Sequence, residues 1–196
     1  MRRPLLTAIV ALACAPAGAQ AAVPHHDNVA TAINQTDATH VDDFAWGVSR
    51  QRGGDVVDQL NRAHAAATCT DCEATAIAFQ IVLVSGSPAT VTPVNEAVAI
   101  NEGCTRCETA AEARQFVRVV DQRVKITGRG RRELADVRGD LRALTQRDVA
   151  LAELHQAVEA QEARVKEVLD TELVTVANPS QDADVLDAQV LQDTAD

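Results

Sequence analysis

The chain has 196 residues and a formal charge of −10, with 28 Asp/Glu against 18 Lys/Arg, and its aromatics are three Phe and one Trp. That length accommodates one modest domain with extensions. An acidic chain so poor in aromatics lacks the basic, stacking surface that nucleic acid requires, so no nucleic-acid partner is expected.

The amino terminus reads Met1-Arg2-Arg3, then runs apolar from Leu5 to Ala13 and reaches small residues at Ala17–Ala21. A basic start, a short apolar core and an A-x-A site predict a secretory signal peptide over 1–21, followed by a linker over 22–27. The apolar run is too short to span a bilayer, and no later stretch comes close, so no transmembrane segment is expected after cleavage. Cys14 offers an alternative, a lipoprotein anchored through its thiol. Leu12 lies two places before Cys14 rather than the usual three, which favours plain cleavage near Ala19–Ala21. The expected location is secreted or cell-surface associated. Without Cys14 the chain keeps four cysteines, an even number in a compartment that permits disulfides. His25-His26 follow Pro24, which removes a backbone nitrogen that an amino-terminal copper site uses, so they read as linker.

Three related segments follow. NVATAIN (28–34), NRAHA (61–65) and NEAVAIN (95–101) begin at Asn28, Asn61 and Asn95, spaced by 33 and 34 residues. CTDCEATAIAFQIVLV (69–84) aligns with CTRCETAAEARQFVRV (104–119), matching Ala76/Ala111, Gln80/Gln115, Val82/Val117 and Val84/Val119. The matches alternate, which places each set on one face of a strand. Ile77, Phe79, Ile81 and Leu83 make the second-copy strand apolar on both faces and hence central. Glu112, Arg114 and Arg118 make its third-copy equivalent half exposed or an edge. The first copy lacks cysteines; QTDATHVDD (35–43) reads as a longer polar loop and FAWGVS (44–49) as the second strand. Each unit thus reads as strand, tight turn, strand. The expected fold is α+β, an antiparallel sheet of three β-hairpin repeats over 28–120, joined by QRGGD and SGSPATVTP, followed by a helical pair over 121–177.

After Val120 the apolar spacing becomes helical: Leu134, Val137, Leu141, Leu144, then Leu151, Leu154, Val158, Val165 and Val168. The stripe shifts phase at Thr145-Gln-Arg-Asp148, which resembles a helix N-cap, so two helices are expected, about 131–145 and 149–173. One broken helix is the alternative. Residues 114–147 carry ten Lys/Arg against four Asp/Glu, whereas 148–196 carry two against twelve. The two blocks read as solvated helix faces, with mutual contact or an anionic cell-surface polymer as the other options. The acidic segment 178–196 has little to bury and is expected to be disordered.

In the hairpin reading, Cys69, Cys72, Cys104 and Cys107 lie at two tips. Three arrangements compete. Local bridges would lock each tip; crossed bridges, Cys69 to Cys104 and Cys72 to Cys107, would staple two repeats; and four thiolates would make a tetrahedral zinc site. Disulfides are favoured, because the spacing between the pairs exceeds the usual zinc-site spacing and export favours oxidation. No cofactor is expected on that reading, with zinc as the alternative. A thiol-redox role requires CxxC at a helix N-terminus, which is not expected here. The amides of Asn28, Asn61, Asn95, Gln80 and Gln115 read as structural groups that hydrogen-bond backbone or their counterparts in the next repeat. His155 begins HQAVE, without the Glu and second His of HExxH; GxSxG and a P-loop are also absent.

The pattern N-x-A-x-A, CxxC, A-x-A-x-Q-x-V over about 28–120 resembles a family of small exported actinobacterial proteins of unknown function. The same region is also found attached to proteins labelled putative peptide zinc metalloproteases. The resemblance implies an exported module. The protease label does not transfer to a chain without zincin ligands or membrane helices. The expected role is an exported, non-enzymatic structural or protein-interaction module with an unidentified protein partner. The alternatives are a zinc-binding accessory of a membrane peptidase and a thiol-redox protein.

Overall fold

The computed structural model describes residues 27–52, 56–147 and 149–176. The signal peptide with Cys14, His25-His26 and nearly all of the linker, residues 53–55, Asp148 and the acidic segment 178–196 lie outside them.

Six strands build the body: β1 (Asn28–Asn34), β2 (His40–Arg52), β4 (Leu60–Ala67), β5 (Glu73–Ser85), β7 (Val94–Asn101) and β8 (Glu108–Val120). Short strands β3 (Val56–Val57) and β6 (Thr90–Val91) precede β4 and β7. β1, β4 and β7 form one parallel sheet, β2, β5 and β8 a second, and β3 pairs with β6 in parallel. Each unit therefore runs along one sheet, turns a corner and returns along the other. The next unit stacks on top, and three such coils make a parallel β-solenoid.

This overturns the expected antiparallel sheet of hairpins. The two strands of a unit do not pair side by side; β1 faces β2 across the interior and pairs with β4 of the following coil. The register follows the sequence spacing. Asn28, Asn61 and Asn95 are Cα partners in turn, as are Ala30, Ala63 and Ala97. Gly47, Gln80 and Gln115 stack likewise in the other sheet. Like residues spaced by one coil stack on each other when the strands are parallel, and that stacking is what an amide ladder needs. The stretch expected as a polar loop, 35–43, is shorter than it reads, because β2 already begins at His40.

β5 is the central strand of its sheet and is buried on both faces. Its inward row, Ala74, Ala76 and Ala78, meets Ala30, Ala32, Ala63 and Ala65 in a core of small side chains that lets the two sheets approach closely. Its outward row, Ile77, Phe79, Ile81 and Leu83, packs beneath two helices, α1 (Gly128–Thr145) and α2 (Leu151–Thr171). Trp46, Phe79 and Phe116 lie side by side in that layer, at ring separations of 6.1 Å. The helices contribute Leu134, Val137, Leu141, Leu144, Leu154, Val158, Val165 and Val168, one stripe from each.

α1 lies over β2 and β5, and α2 over β8. An antiparallel pair, β9 (Val124–Ile126) with β10 (Leu173–Thr175), ties the outer ends of the helices together. Thr127 caps α1, its Oγ1 accepting from Gly130 N at 3.1 Å. The N-cap expected for the second helix at Thr145–Asp148 is not seen; Ala150 occupies that position and makes no side-chain cap bond.

Candidate functional site

The corner inside each unit, between its two long strands, carries one non-glycine residue in the left-handed region: Ala38, Asp71 and Arg106, with φ of 54°, 54° and 55°. Such a conformation costs roughly 1 kcal/mol for a residue with a Cβ. Stacking offsets that cost. Ala38 N donates to Thr70 O at 3.0 Å and Asp71 N to Thr105 O at 2.9 Å, so each corner hangs from the next.

The cysteines sit in the second and third corners. Disulfides join Cys69 to Cys72 and Cys104 to Cys107, with Cα separations of 5.9 and 6.1 Å. The bridges are local, one per corner, and the crossed arrangement is not formed. Cys69 and Cys72 are buried, whereas Cys104 and Cys107 are half buried. The two corners touch: Cys107 Sγ lies 3.1 Å from Cys69 O, Thr70 bridges to Thr105, and Arg106 makes a two-pronged ion pair with Asp71. The Arg106 hydrogen bond, opposed by slight desolvation and aided by its charge, holds the Asp71 carboxyl below the usual carboxylate range. A four-thiolate zinc site would require both bridges to be open. Among the described residues no group of three or more His, Cys, Asp or Glu is placed to hold a metal.

The first corner has no sulfur and uses Asn34 instead. Its buried amide donates to Thr39 O and to Glu73 O, both at 2.8 Å, and its Oδ1 accepts from Thr39 Oγ1 at 3.0 Å. Asp37 adds a bond from Thr70 N at 2.7 Å. Sequence reasoning missed Asn34, although the final Asn shared by NVATAIN and NEAVAIN was the available signal.

Asn28, Asn61 and Asn95 form a ladder inside the solenoid. Asn28 Nδ2 donates to Asn61 Oδ1, and Asn61 Nδ2 to Asn95 Oδ1, each at 2.7 Å. Each amide also crosses to the opposite sheet. Asn28 reaches Phe79 O at 3.0 Å; Asn61 reaches Ala78 O and Arg114 O at 3.1 Å; Asn95 reaches Ala113 O at 3.1 Å. A second step runs from Gln115 Nε2 to Gln80 Oε1 at 2.6 Å and to Gln59 O at 2.9 Å. The first coil ends that step with Gly47, where an added Cβ would stand 3.2 Å from Asn28 Oδ1. Gln59, also unforeseen, is buried and accepts from Ser49 Oγ at 2.8 Å, while its Nε2 has no partner among the described residues.

The helical layer is joined to the solenoid by charge. The basic and acidic blocks meet at Arg114–Glu162 (2.6 Å), Arg118–Asp170 and Arg129–Glu172 (2.8 Å). Burial pushes Glu162 up, but hydrogen bonds from Lys166 and Arg114 outweigh it and hold the group below its ordinary value. Arg164 returns the exchange, bonding Glu133 and Asp140 of α1 at 2.7 Å each. A small cleft under the α1–α2 connection, lined by Glu73, Glu108, Arg147 and Leu154 among others, encloses about 10 Å³, room for about one water. The chain matches no family model, no curated protein and no solved structure.

Proposed function

We propose that the chain is an exported, non-enzymatic structural or protein-interaction module, a short solenoid braced at its corners and backed by two helices. One observation carries this reading: the polar groups of the repeated motif are spent on one another. The Asn ladder and the Gln step join one coil to the next, and each disulfide closes a single corner. The cleft under the α1–α2 connection, at about 10 Å³, is far smaller than ligand sites, which typically enclose about 300–1,000 Å³. Disulfides suit an oxidising compartment, in keeping with the signal-like segment 1–21. The CxxC motifs stand at strand corners rather than at a helix N-terminus, which weighs against thiol-redox chemistry. A protein partner is favoured over an anionic polymer, because Arg114, Arg118 and Arg129 of the basic block already hold carboxylates of this chain.

Mass measurement of the secreted protein, native and denatured without reductant, tests the reading. Two bridges remove four hydrogens, and fragment mapping is expected to pair Cys69 with Cys72 and Cys104 with Cys107. A native mass containing zinc, with no hydrogen loss, would sink it in favour of the zinc-binding accessory.

A further inference from the structure

The two ends of the solenoid are finished differently. At the first coil, β2 turns Asp43, Gly47, Ser49 and Gln51 inward where β5 has Ala76, Gln80, Val82 and Val84. That is a polar end of the kind terminal repeats use. At the third coil no such change occurs: β8 keeps Ala111, Ala113, Val117 and Val119 in the inward row. Val119 is 47% exposed.

The sheets are also staggered. β1 faces both β2 and β5, and β4 faces both β5 and β8, so each strand of that sheet lies between two strands of the other. β7 faces chiefly β8. Among the described residues, no strand stands at the second position opposite β7. Ala97 and Ala99, equivalent to the buried pairs Ala30/Ala32 and Ala63/Ala65, are exposed as a result. Asn95 shows the same gap. Asn61 donates to carbonyls on two strands of the facing sheet, at Ala78 and Arg114, whereas Asn95 donates to Ala113 alone.

We propose that a second copy of this chain fills the vacant position, with the two third coils meeting end to end about a two-fold axis parallel to the strands. That axis swaps the sheets between copies, so the β7 of each copy pairs antiparallel with the β8 of the other. It also brings each protruding β7 into the place beside the recessed β8. Inward-facing positions then meet inward-facing positions, and the alanine core continues through the junction. The contributing strands have eight and thirteen residues per copy. A stable interface has about 20–30 residues a side, so the junction falls in that range.

Head-to-tail stacking would fill the same position with β2 of the next copy, but the helices forbid it. Three coils advance about 14 Å at 4.8 Å per strand. Two helices side by side need roughly 16–20 Å at interaxial distances of 8–10 Å. α2 of one copy would collide with α1 of the next. The two-fold arrangement puts the helical layers on opposite sides, and lays α2 beside the exposed outer face of the second copy's β7, where Ile100 is 42% exposed.

Sedimentation of the oxidised secreted protein and its Ala97→Glu variant provides the test, with circular dichroism and a thiol count as controls for folding. Ala97 is already exposed, so the variant keeps the fold. The expected result is a reversible monomer–dimer equilibrium below about 100 µM, weakened at least about tenfold by the substitution. Hydrogen exchange is expected to protect β7 amides in the dimer. A single chain mass throughout overturns the proposal. So do a dimer indifferent to Ala97→Glu and growth into larger assemblies, the latter being the head-to-tail outcome.

Discussion

The central rung of the Asn ladder gives the sharpest test of how the solenoid holds together. Asn61 is completely buried, accepts one hydrogen bond from Asn28, and donates to Asn95, Ala78 O and Arg114 O. Replacing it with Ala removes four contacts at once and leaves the groups of its neighbours short of partners. The three contacts from Nδ2 share two N–H groups, so about three bonds are lost at about 1 kcal/mol each. With the further cost of the buried neighbours left short of a partner, Asn61→Ala is expected to cost about 4 kcal/mol, a large part of the roughly 5–15 kcal/mol typical of a domain. Asn95 has two of these bonds and is exposed, so water replaces what is lost and Asn95→Ala costs about 1 kcal/mol. With a urea slope of about 2 kcal/mol/M, the two variants differ in midpoint by about 1.5 M. Urea unfolding of the oxidised protein, followed by circular dichroism, measures this directly. Midpoints within about 0.5 M of each other would refute the ladder as a cooperative buried element. Asn61→Asp is expected to be worse than Ala at neutral pH, because a carboxylate would face the carbonyls of Ala78 and Arg114.

Four further outcomes can be checked independently. In Gly130→Ala the new Cβ meets Glu172 Cβ and Ile126 Cγ2 at 2.7 Å, and loosening α1 from the β9–β10 tie is expected to cost about 1–3 kcal/mol by denaturation. Gly139 has nothing within 4 Å of its Cβ position, so Gly139→Ala stabilises α1 by about 0.5–1 kcal/mol. His155 is raised above its ordinary value chiefly by its hydrogen bond to Glu112, then by the charges of Glu112 and Glu159. Its stabilising contribution is therefore complete below the unfolded value near about 6.5 and is lost as pH rises through the folded value; His155→Gln should abolish that slope, and an NMR titration locates it. Under graded reductant, mass spectrometry with alkylation should show Cys104–Cys107 opening before the buried Cys69–Cys72.

Strand alternation was readable because Asn-x-Ala-x-Ala leaves no other way to gather its small residues on one side. The neighbour of each strand was not, because period two is the same in a hairpin and in a coil. Two cues in the residues decide it on physical grounds. Matched residues such as Ala76/Ala111, Gln80/Gln115 and Val82/Val117 can stack like on like only if their strands run the same way, and they are register partners. A strand apolar on both faces, as β5 is from Ile77 to Val84, suits a parallel sheet covered on both sides. The helices were legible from their Leu and Val stripe. Their docking onto Ile77, Phe79 and Ile81 was not, since nothing local says which apolar rows meet.

The cysteine pairing shows where spacing stops being informative. Within a corner the Cα separations are 5.9 and 6.1 Å, and stacked corners lie about 4.8 Å apart. Both fall inside the window of about 4.4–6.8 Å for a disulfide, so distance permits local and crossed bridges equally. The direction of the side chains decides, and that direction is set by the left-handed residues at Asp71 and Arg106, which turn the flanking cysteines toward each other. The first coil makes the same turn at Ala38 and closes it with the Asn34 amide. A corner held by sulfur and a corner held by an amide thus share one backbone shape. The shape does not require the bridge: the first corner adopts it without sulfur, and the same hydrogen bond to the next coil, from Ala38 N and from Asp71 N, holds both turns.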